Sequence, residues 1–236
     1  MISVCIATYN GEKYIKEQLQ SILPQLGNKD EIIVSDDGST DKTIEVINEF
    51  GDSRIYIIQD KPLHSPIFNF ERAIEFAKGD FIFLSDQDDV WLPNKVEIIM
   101  DVLSDTAFVF TDAIVVDKDL NLIRDSYFNH KSKKGGIFNN ILNNSYFGAT
   151  IGFRKEILEY ALPFPKNIPM HDQWLGLIAD YYYSVKFINT PLIKHRRHGA
   201  NASYSGEKSR NTIIVKLKYR INIFISLFWR VINNKK

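Results

Sequence analysis

Short apolar segments alternate with helical patterns through the first 84 residues of the chain. Four runs rich in β-branched or aromatic residues are predicted to be buried strands, at Ile2–Ala7, Glu31–Val34, Ile55–Ile58 and Phe81–Leu84. The stretches between them place apolar residues at helical spacing, over Glu12–Leu26, Thr40–Phe50 and Phe70–Ala77. Strands that alternate with helices in this order predict an α/β fold with a parallel sheet and right-handed crossovers.

Polar side chains follow three of these four strands at the point where each strand ends. The clusters are Thr8–Asn10, Asp36–Ser39 and Asp86–Asp89. Ligands of open α/β sheets bind outside the carboxyl ends of the strands. The three clusters therefore predict a binding site at that edge of the sheet.

The third cluster holds three carboxylates, on Asp86, Asp88 and Asp89. Their mutual repulsion is unfavourable unless a cation or strong hydrogen-bond donors offset it. Carboxylates suit Mg or Mn, which bind through one or two protein oxygens and substrate phosphates. A solvated acidic turn is the alternative, with Asp89 capping a helix that would begin near Val90.

Three further groups of residues offer chemistry. The carboxylate of Asp36 is suited to accept from a nucleotide base or ribose, whereas Asp37–Asp41 fits turn and cap chemistry. Asp172 is either a general base or a helix cap. The segment 195–201 has imidazoles for a metal and guanidinium groups for a diphosphate, or is a solvated basic loop.

Composition limits the class of protein. The chain has 236 residues, with 29 Lys and Arg against 29 Asp and Glu, so no global charge attracts nucleic acid. Its single cysteine, Cys5, fits a reducing compartment, and the N-terminal residues lack the basic region of a secretory signal. We expect one cytoplasmic domain with a helical appendage, either free in the cytoplasm or peripheral on the inner face of the cell membrane.

The appendage contains the longest apolar stretch, residues 213–232, which also carries Lys216, Lys218, Arg220 and Arg230. Four cations make it a poor membrane-spanning helix. An interfacial helix would bring the protein to a lipid surface. A helix that packs on the preceding domain, or on a second subunit of a homodimer, is an equal alternative.

Five sequence motifs, in their order and spacing, resemble those of family 2 glycosyltransferases. They are Ala7–Asn10, Ser35–Ser39, Gly79–Trp91, Asp172 and Arg196–Asn201. The resemblance covers about residues 1–205 and implies the GT-A fold, with a Rossmann-like nucleotide-binding half (1–110) and an acceptor half (111–205). Residues 206–236 would then form a basic amphipathic helix. The form of the motif at Ser85–Trp91 is most similar to the rhamnosyltransferase-like branch.

The resemblance implies a role for each motif. Thr8, Tyr9 and Asp36 would hold the base, and Asp86 would lie on the ribose side. Asp88 would bind Mg or Mn with His198 as a further metal or diphosphate contact, and Asp172 would be the catalytic base. The remaining residues expected to bind substrate are Ala7, Glu12, Gln87 and Arg196.

The expected reaction is a direct displacement with inversion. The donor would be dTDP-rhamnose or a UDP-sugar, and the acceptor a hydroxyl of a surface glycan or a lipid-linked saccharide. A non-catalytic nucleotide-sugar binding protein of the same fold is the alternative.

Two positions depart from the family pattern. Phe68 stands where many relatives have a cation, which leaves Lys61, Arg72 or Arg196 to supply the contact, and His171 stands where Glu usually precedes Asp172.

Overall fold

The computed structural model describes residues 1–130, 136–142, 144–199 and 212–233. Two parts of the sequence interpretation fall outside this range. They are Ala200 and Asn201 at the end of the fifth motif, and residues 206–211 and 234–236 of the predicted C-terminal helix.

Nine strands lie in the described part of the chain. They are β1 (Ile2–Thr8), β2 (Glu31–Asp36), β3 (Ile55–Gln59), β4 (Phe81–Asp86), β5 (Val90–Trp91), β6 (Phe108–Val116), β7 (Leu122–Arg124), β8 (Ile151–Arg154) and β9 (Val185–Arg196).

Eight α-helices accompany them in the same residues. They are α1 (Ile15–Ile22), α2 (Thr43–Asn48), α3 (Pro66–Phe76), α4 (Lys95–Leu103), α5 (Ile137–Leu142), α6 (Leu158–Ala161), α7 (His171–Tyr182) and α8 (Ile213–Asn233).

All nine strands form one sheet, with the order β3-β2-β1-β4-β8-β6-β9-β5 and with β7 on β6. The pairs among β1 to β4 are parallel, as the alternation of strands and helices predicts. The second half is mixed, because β8 runs antiparallel to both β4 and β6 while β9 is parallel to β6. The sheet runs without interruption across the expected boundary between the two halves, which falls inside β6.

The parallel half brings the three polar clusters together. Thr8 at the end of β1 pairs in register with Asp36 on β2, and Ala7 pairs with Asp86 on β4. The chain leaves β1 toward β2 on one side and returns through β4 on the other. A reversal of this kind opens a crevice at the carboxyl edge of the sheet.

Three strands are absent from the sequence interpretation: β5, β7 and β9. The strand β9 covers Val185–Arg196, and β5 pairs with it in antiparallel fashion directly after the acidic cluster. The prediction that Asp89 caps a helix is therefore wrong, because a strand follows Asp89 and α4 begins only at Lys95. The sequence also predicts two strands, at Ala107–Thr111 and Ala113–Val116, and the structure has one continuous strand there, β6.

The helix α8 lies at the end of the described chain and buries only Ile223 and Leu227. It packs on α5 and α7. No helix within the described residues is both long and apolar enough to cross a bilayer.

Close packing between α7 and the sheet depends on a glycine. A Cβ on Gly176 would lie 2.5 Å from the ring of Tyr146. That ring is stacked on Phe110 and its hydroxyl bonds to Asp180, so it has no room to move.

We predict that Gly176→Ala lowers the free energy of unfolding by about 2 kcal/mol or more, through overpacking. Helix propensity alone would favour the variant by about 1 kcal/mol, so the sign of the change decides which effect dominates. Urea unfolding measures it. Gly27→Ala is the control, because its Cβ would meet only Asp30 at an ordinary 3.4 Å; a stabilised Gly176→Ala would contradict the prediction.

Candidate active site

The acid loop, residues Asp86–Asp89, begins at the last residue of β4. Ligand oxygens of Asp86, Asp88 and Asp89 lie within 4.8 Å of one another. Asp88 and Asp89 are buried and Asp86 is half-buried. Three carboxylates at this separation need compensating positive charge, and the described part of the chain provides it from the end of β9.

The end of β9 compensates the acid loop through direct contacts. His195 Nδ1 lies 3.0 Å from Asp89 Oδ1, and the backbone N–H of Arg196 donates to the same oxygen at 3.0 Å. His198 Nε2 lies 2.8 Å from Asp88 Oδ2. The strand β9 thus supplies the partners of Asp89, and the segment directly after it supplies the partner of Asp88.

The charges in this region shift one another's protonation. Withdrawal from bulk water and repulsion by Asp89 and Asp88 raise the pKa of Asp86 well above its usual value. Burial alone would lower the pKa of His195, but the neighbouring carboxylates, Asp89 first, outweigh it and raise the pKa. The site therefore favours His195 as imidazolium beside the Asp89 carboxylate.

Lys95, at the start of α4, adds a buried cation that sequence reasoning missed. Its ammonium donates to the carbonyl of Ala149 at 3.0 Å and lies 4.1 Å from the centre of the Trp91 ring. Burial lowers the pKa of Lys95 to about 7, against the opposing pull of Asp89 and Asp86. An apolar run at helical spacing gives no sign that its first lysine points inward.

Asp36 is engaged by four hydrogen-bond donors. Its Oδ1 accepts from the hydroxyls of Thr8 at 3.0 Å and Ser39 at 2.5 Å, and its Oδ2 accepts from the backbone N–H groups of Gly38 at 3.1 Å and Ser39 at 2.8 Å. A carboxylate offers about four lone-pair positions. Asp36 thus shapes the turn that follows β2, and its predicted contact with a base requires the base to displace one of these donors or to share a carboxylate oxygen with it.

Asp37 holds a second loop in place. Its carboxylate accepts from the backbone N–H groups of Leu63, His64 and Ser65, just before α3. This agrees with the expectation that Asp37 has a structural role.

Tyr9 lies at the mouth of the crevice with 54% of its surface exposed. The amide of Gln87 bonds to both backbone groups of Tyr9, accepting from N–H at 2.9 Å and donating to the carbonyl at 3.1 Å. A Cβ on Gly11 would lie 2.4 Å from the same amide. Gln87 therefore ties the acid loop to the end of β1 and leaves the Tyr9 ring accessible.

Two other predicted substrate residues lie at the same edge of the sheet. Ala7 is half-buried in β1, beside Asp86. Glu12 accepts from the backbone N–H of Lys42 at 2.9 Å and so links the first two polar clusters.

Arg196 is buried in a network that reaches α1. It donates to the carbonyls of Asp88 at 2.8 Å and Lys118 at 2.7 Å, and to the carboxylate of Glu17. Its guanidinium lies 4.9 Å from the centre of the Tyr14 ring, on which His198 is also stacked at 4.7 Å. The sequence interpretation did not include Tyr14 and Glu17 in the site. Helical spacing shows which side of a helix is buried, but it does not show that these residues contact Arg196, which is distant in sequence.

Arg72, another candidate for the donor contact, is buried behind the nucleotide side of the crevice. It donates to Ser35 Oγ and to the carbonyl of Asp36, both at 2.6 Å, and to Asn69 Oδ1 at 3.0 Å. These bonds fix the end of β2.

Asp172 is the second residue of α7 and is buried. Its Oδ2 accepts from the backbone N–H of Gly148 at 3.2 Å, and its charge contributes to the raised pKa of Asp86. The helix N-terminus favours the ionised carboxylate. The structure thus places Asp172 within electrostatic range of the acid loop, although 86 residues separate Asp172 from Asp86 in sequence.

His171, which precedes Asp172, is a neutral packing residue. Burial lowers the pKa of His171 to about 3, and its ring is stacked on Phe70 at 4.2 Å. A Cβ on Gly148 would lie 2.8 Å from its Nε2. An uncharged neighbour therefore replaces the acid that the family pattern has at this position.

The fold is that of the GT-A glycosyltransferases. The chain is similar to the crystal structure of S. aureus TarS 1-349 in complex with UDP-GlcNAc, with a TM-score of 0.74 and 18% identity, over 95% of this chain and 65% of that one. The chain belongs to glycosyl transferase family 2, whose model matches residues 3–161.

The names of two similar proteins specify different nucleotide-sugar donors. The chain is 30% identical to the dTDP-rhamnosyl transferase RfbG of Shigella flexneri, over 91% of this chain and 81% of the relative. It is 26% identical to the UDP-Glc:alpha-D-GlcNAc-diphosphoundecaprenol beta-1,3-glucosyltransferase WfgD of Escherichia coli, over 88% of this chain and 81% of the relative. Membership of the family is thus clear, and the roles of single residues stay predictions.

We predict that the His195–Asp89 pair makes stability depend on pH. Because the folded-state pKa of His195 is raised, its contribution is full below the unfolded-state pKa of about 6.5 and is lost as pH rises through the folded-state value. The difference in free energy of unfolding between wild type and His195→Asn, with wild type the more stable, should therefore be largest at acidic pH.

Urea titrations from pH 5.5 to 9.5 in a chelator would measure this difference. His64→Asn is the control, because His64 is exposed and its positive φ of 50° suits Asn. A difference between wild type and His195→Asn that is the same at every pH would contradict the prediction.

Proposed function

We propose that the protein is an inverting, metal-dependent glycosyltransferase that moves a sugar from dTDP-rhamnose or a UDP-sugar to a hydroxyl group. The acceptor would be a surface glycan or a lipid-linked saccharide. One observation carries the proposal: a buried carboxylate, Asp172, lies in electrostatic range of the acid loop but on a separate element. A glycosyltransferase needs its general base apart from the acids on the diphosphate side, because the base must face the sugar and the acceptor hydroxyl.

The residues of the acid loop fit a divalent metal. Their oxygens lie within 4.8 Å of one another, and Oδ2 of Asp89 is buried without a hydrogen-bond partner among the described residues. Carboxylate oxygens with one imidazole suit Mg or Mn. Asp88 and His198 would hold the ion, which when bound neutralises charge on the departing diphosphate.

Asp172 would act as the general base. Its carboxylate would accept the proton of the acceptor hydroxyl while the hydroxyl oxygen forms a bond to the anomeric carbon. The bond from that carbon to the diphosphate oxygen breaks, and the nucleoside diphosphate leaves with the electron pair. The N–H of Gly148 orients this carboxylate, and the α7 N-terminus stabilises negative charge on it.

The nucleotide side would be formed by the ends of β1 and β2. The exposed Tyr9 ring offers a stacking surface for a base, and Thr8 with Asp36 offers hydrogen-bonding groups beneath it. The names of the relatives RfbG and WfgD support dTDP-rhamnose and UDP-glucose as first candidates. WfgD also supports a saccharide on a polyprenyl diphosphate as acceptor.

We expect Asp172→Asn to lower turnover about a hundred- to ten-thousand-fold, which is the range of general base catalysis. Donor binding should be retained, because the base contacts the acceptor. Release of nucleoside diphosphate from candidate donors, with Mn, measures turnover, and calorimetry measures donor affinity. The matched control is Asp105→Asn, which changes an exposed acid in the turn after α4.

A non-catalytic binding protein would give the opposite pattern. Wild type and Asp172→Asn would then bind donor equally, and neither would release nucleoside diphosphate with any acceptor.

We expect Mn to raise the melting temperature in the presence of UDP or dTDP, since a ligand that binds only the folded state stabilises it. Asp88→Asn should remove most of this increment, whereas Asp119→Asn, which changes an exposed acid, should keep it. If Mn raised the melting temperature equally in both variants, the metal would bind at a site that does not include Asp88.

A further inference from the structure

The helix α8 presents a wide apolar surface to solvent. Nine of its large apolar residues are exposed and share one side, an arc about 160° wide at 3.6 residues per turn. We call this side the α8 face; its residues are Ile213, Ile214, Leu217, Ile221, Phe224, Ile225, Phe228, Trp229 and Ile232. The opposite side of α8 carries Ile223 and Leu227 and packs on the body.

The charge of the chain is distributed unevenly around this helix. Residues 208–236 contain eight Lys and Arg and no Asp or Glu. Residues 1–207 hold all 29 acids and only 21 of the 29 Lys and Arg. The formally neutral chain is therefore an acidic body joined to a basic helical segment.

We propose that the α8 face docks flat on an anionic lipid surface. The inference deepens the proposed function, and rests on it, by naming the surface at which a lipid-linked acceptor is met. A helix with an apolar side and basic flanks lies in the plane of the interface, with its apolar side buried among the acyl chains. The acidic body is repelled by the same surface, so the charge pattern also orients the molecule.

The width of the α8 face favours lipid over a second copy of the helix. A seam between two helices needs only a narrow apolar stripe, whereas a bilayer covers a whole side. Two copies of a segment with eight cations and no acid also repel each other. The ring of Trp229, on the α8 face, is of a type that prefers the lipid headgroup region.

Contacts between two arginines of α8 and the body hold the helix in a fixed position. Arg230 donates to the carbonyls of Tyr160, Leu162 and Pro163 and lies 5.3 Å from the centre of the Trp174 ring. Arg220 donates to the carbonyl of Leu142. Two cations thus anchor the helix along its inner side, while the α8 face stays outward.

Intrinsic fluorescence tests the proposal in the unmodified chain. Of the three tryptophans, Trp91 and Trp174 are buried, and Trp229 is 57% exposed on the α8 face. Vesicles of phosphatidylglycerol and phosphatidylcholine should shift its emission to the blue, and brominated acyl chains should quench it. Phosphatidylcholine vesicles alone should give a smaller effect. Unchanged emission with no co-sedimentation would overturn the proposal.

Variants separate the apolar and electrostatic contributions. The double variant Phe224→Gln/Phe228→Gln should bind anionic vesicles at least about thirtyfold more weakly, given the apolar area removed. Lys218→Glu should weaken binding about tenfold at low salt and less at high salt. The control Phe76→Gln/Leu122→Gln changes two equally exposed residues of the body and should bind as wild type does.

Sedimentation velocity without lipid tests the alternative that the α8 face binds a second copy of the chain. A wild-type dimer that Phe224→Gln/Phe228→Gln converts to monomer, with no vesicle binding, would overturn the lipid proposal in favour of a second copy. The vesicle and sedimentation measurements contain neither donor nor acceptor. A negative result in them would therefore not contradict the proposed transfer reaction, and a negative result in the Asp172→Asn test would not contradict lipid binding.

Discussion

The end of β9 lies against the acid loop, and the rest of the site depends on that contact. Three carboxylates whose oxygens lie within 4.8 Å of one another would repel, but His195 and the backbone of Arg196 bond to Asp89, and His198 bonds to Asp88. The loop can therefore fold with its acids assembled before any cation or substrate arrives. Preorganisation of this kind lowers the cost of binding a charged ligand.

The same contact joins the two halves of the sheet. Arg196 bonds to Glu17 on α1, and Gln18 on that helix bonds to Ser85, which also accepts from the indole of Trp91 at 3.2 Å. The helix α1 thus contacts both the end of β4, through Ser85, and the end of β9, through Arg196. A change at either strand end would therefore also disturb the position of α1.

The parts of this arrangement that the sequence predicted are those that depend on local patterns. The strands β1 to β4 and their polar ends were confirmed, because strand and helix spacing is visible within a few residues. The strands β5 and β9 were missed, since two-residue β5 exists only through pairing with a strand about 100 residues away. For the same reason Asp89 was assigned to a helix cap, and Lys95 was not recognised as a buried cation. The roles of Thr8, Asp88, Asp172 and His198 were inferred from resemblance and not from spacing.

The helix α8 and the proposed base belong to one packed unit. The helix rests on α7, and its Arg230 lies over Trp174, two residues after Asp172 on α7. A surface that held the α8 face would therefore also fix the position of α7 relative to that surface. An acceptor anchored in the same surface would have its freedom reduced to two dimensions, and its saccharide would approach α7 from a restricted set of directions. Restricting orientation in this way lowers the entropy cost of bringing a hydroxyl to a base. The anchoring helix and the base are thus coupled through rigid packing, with no conformational change required.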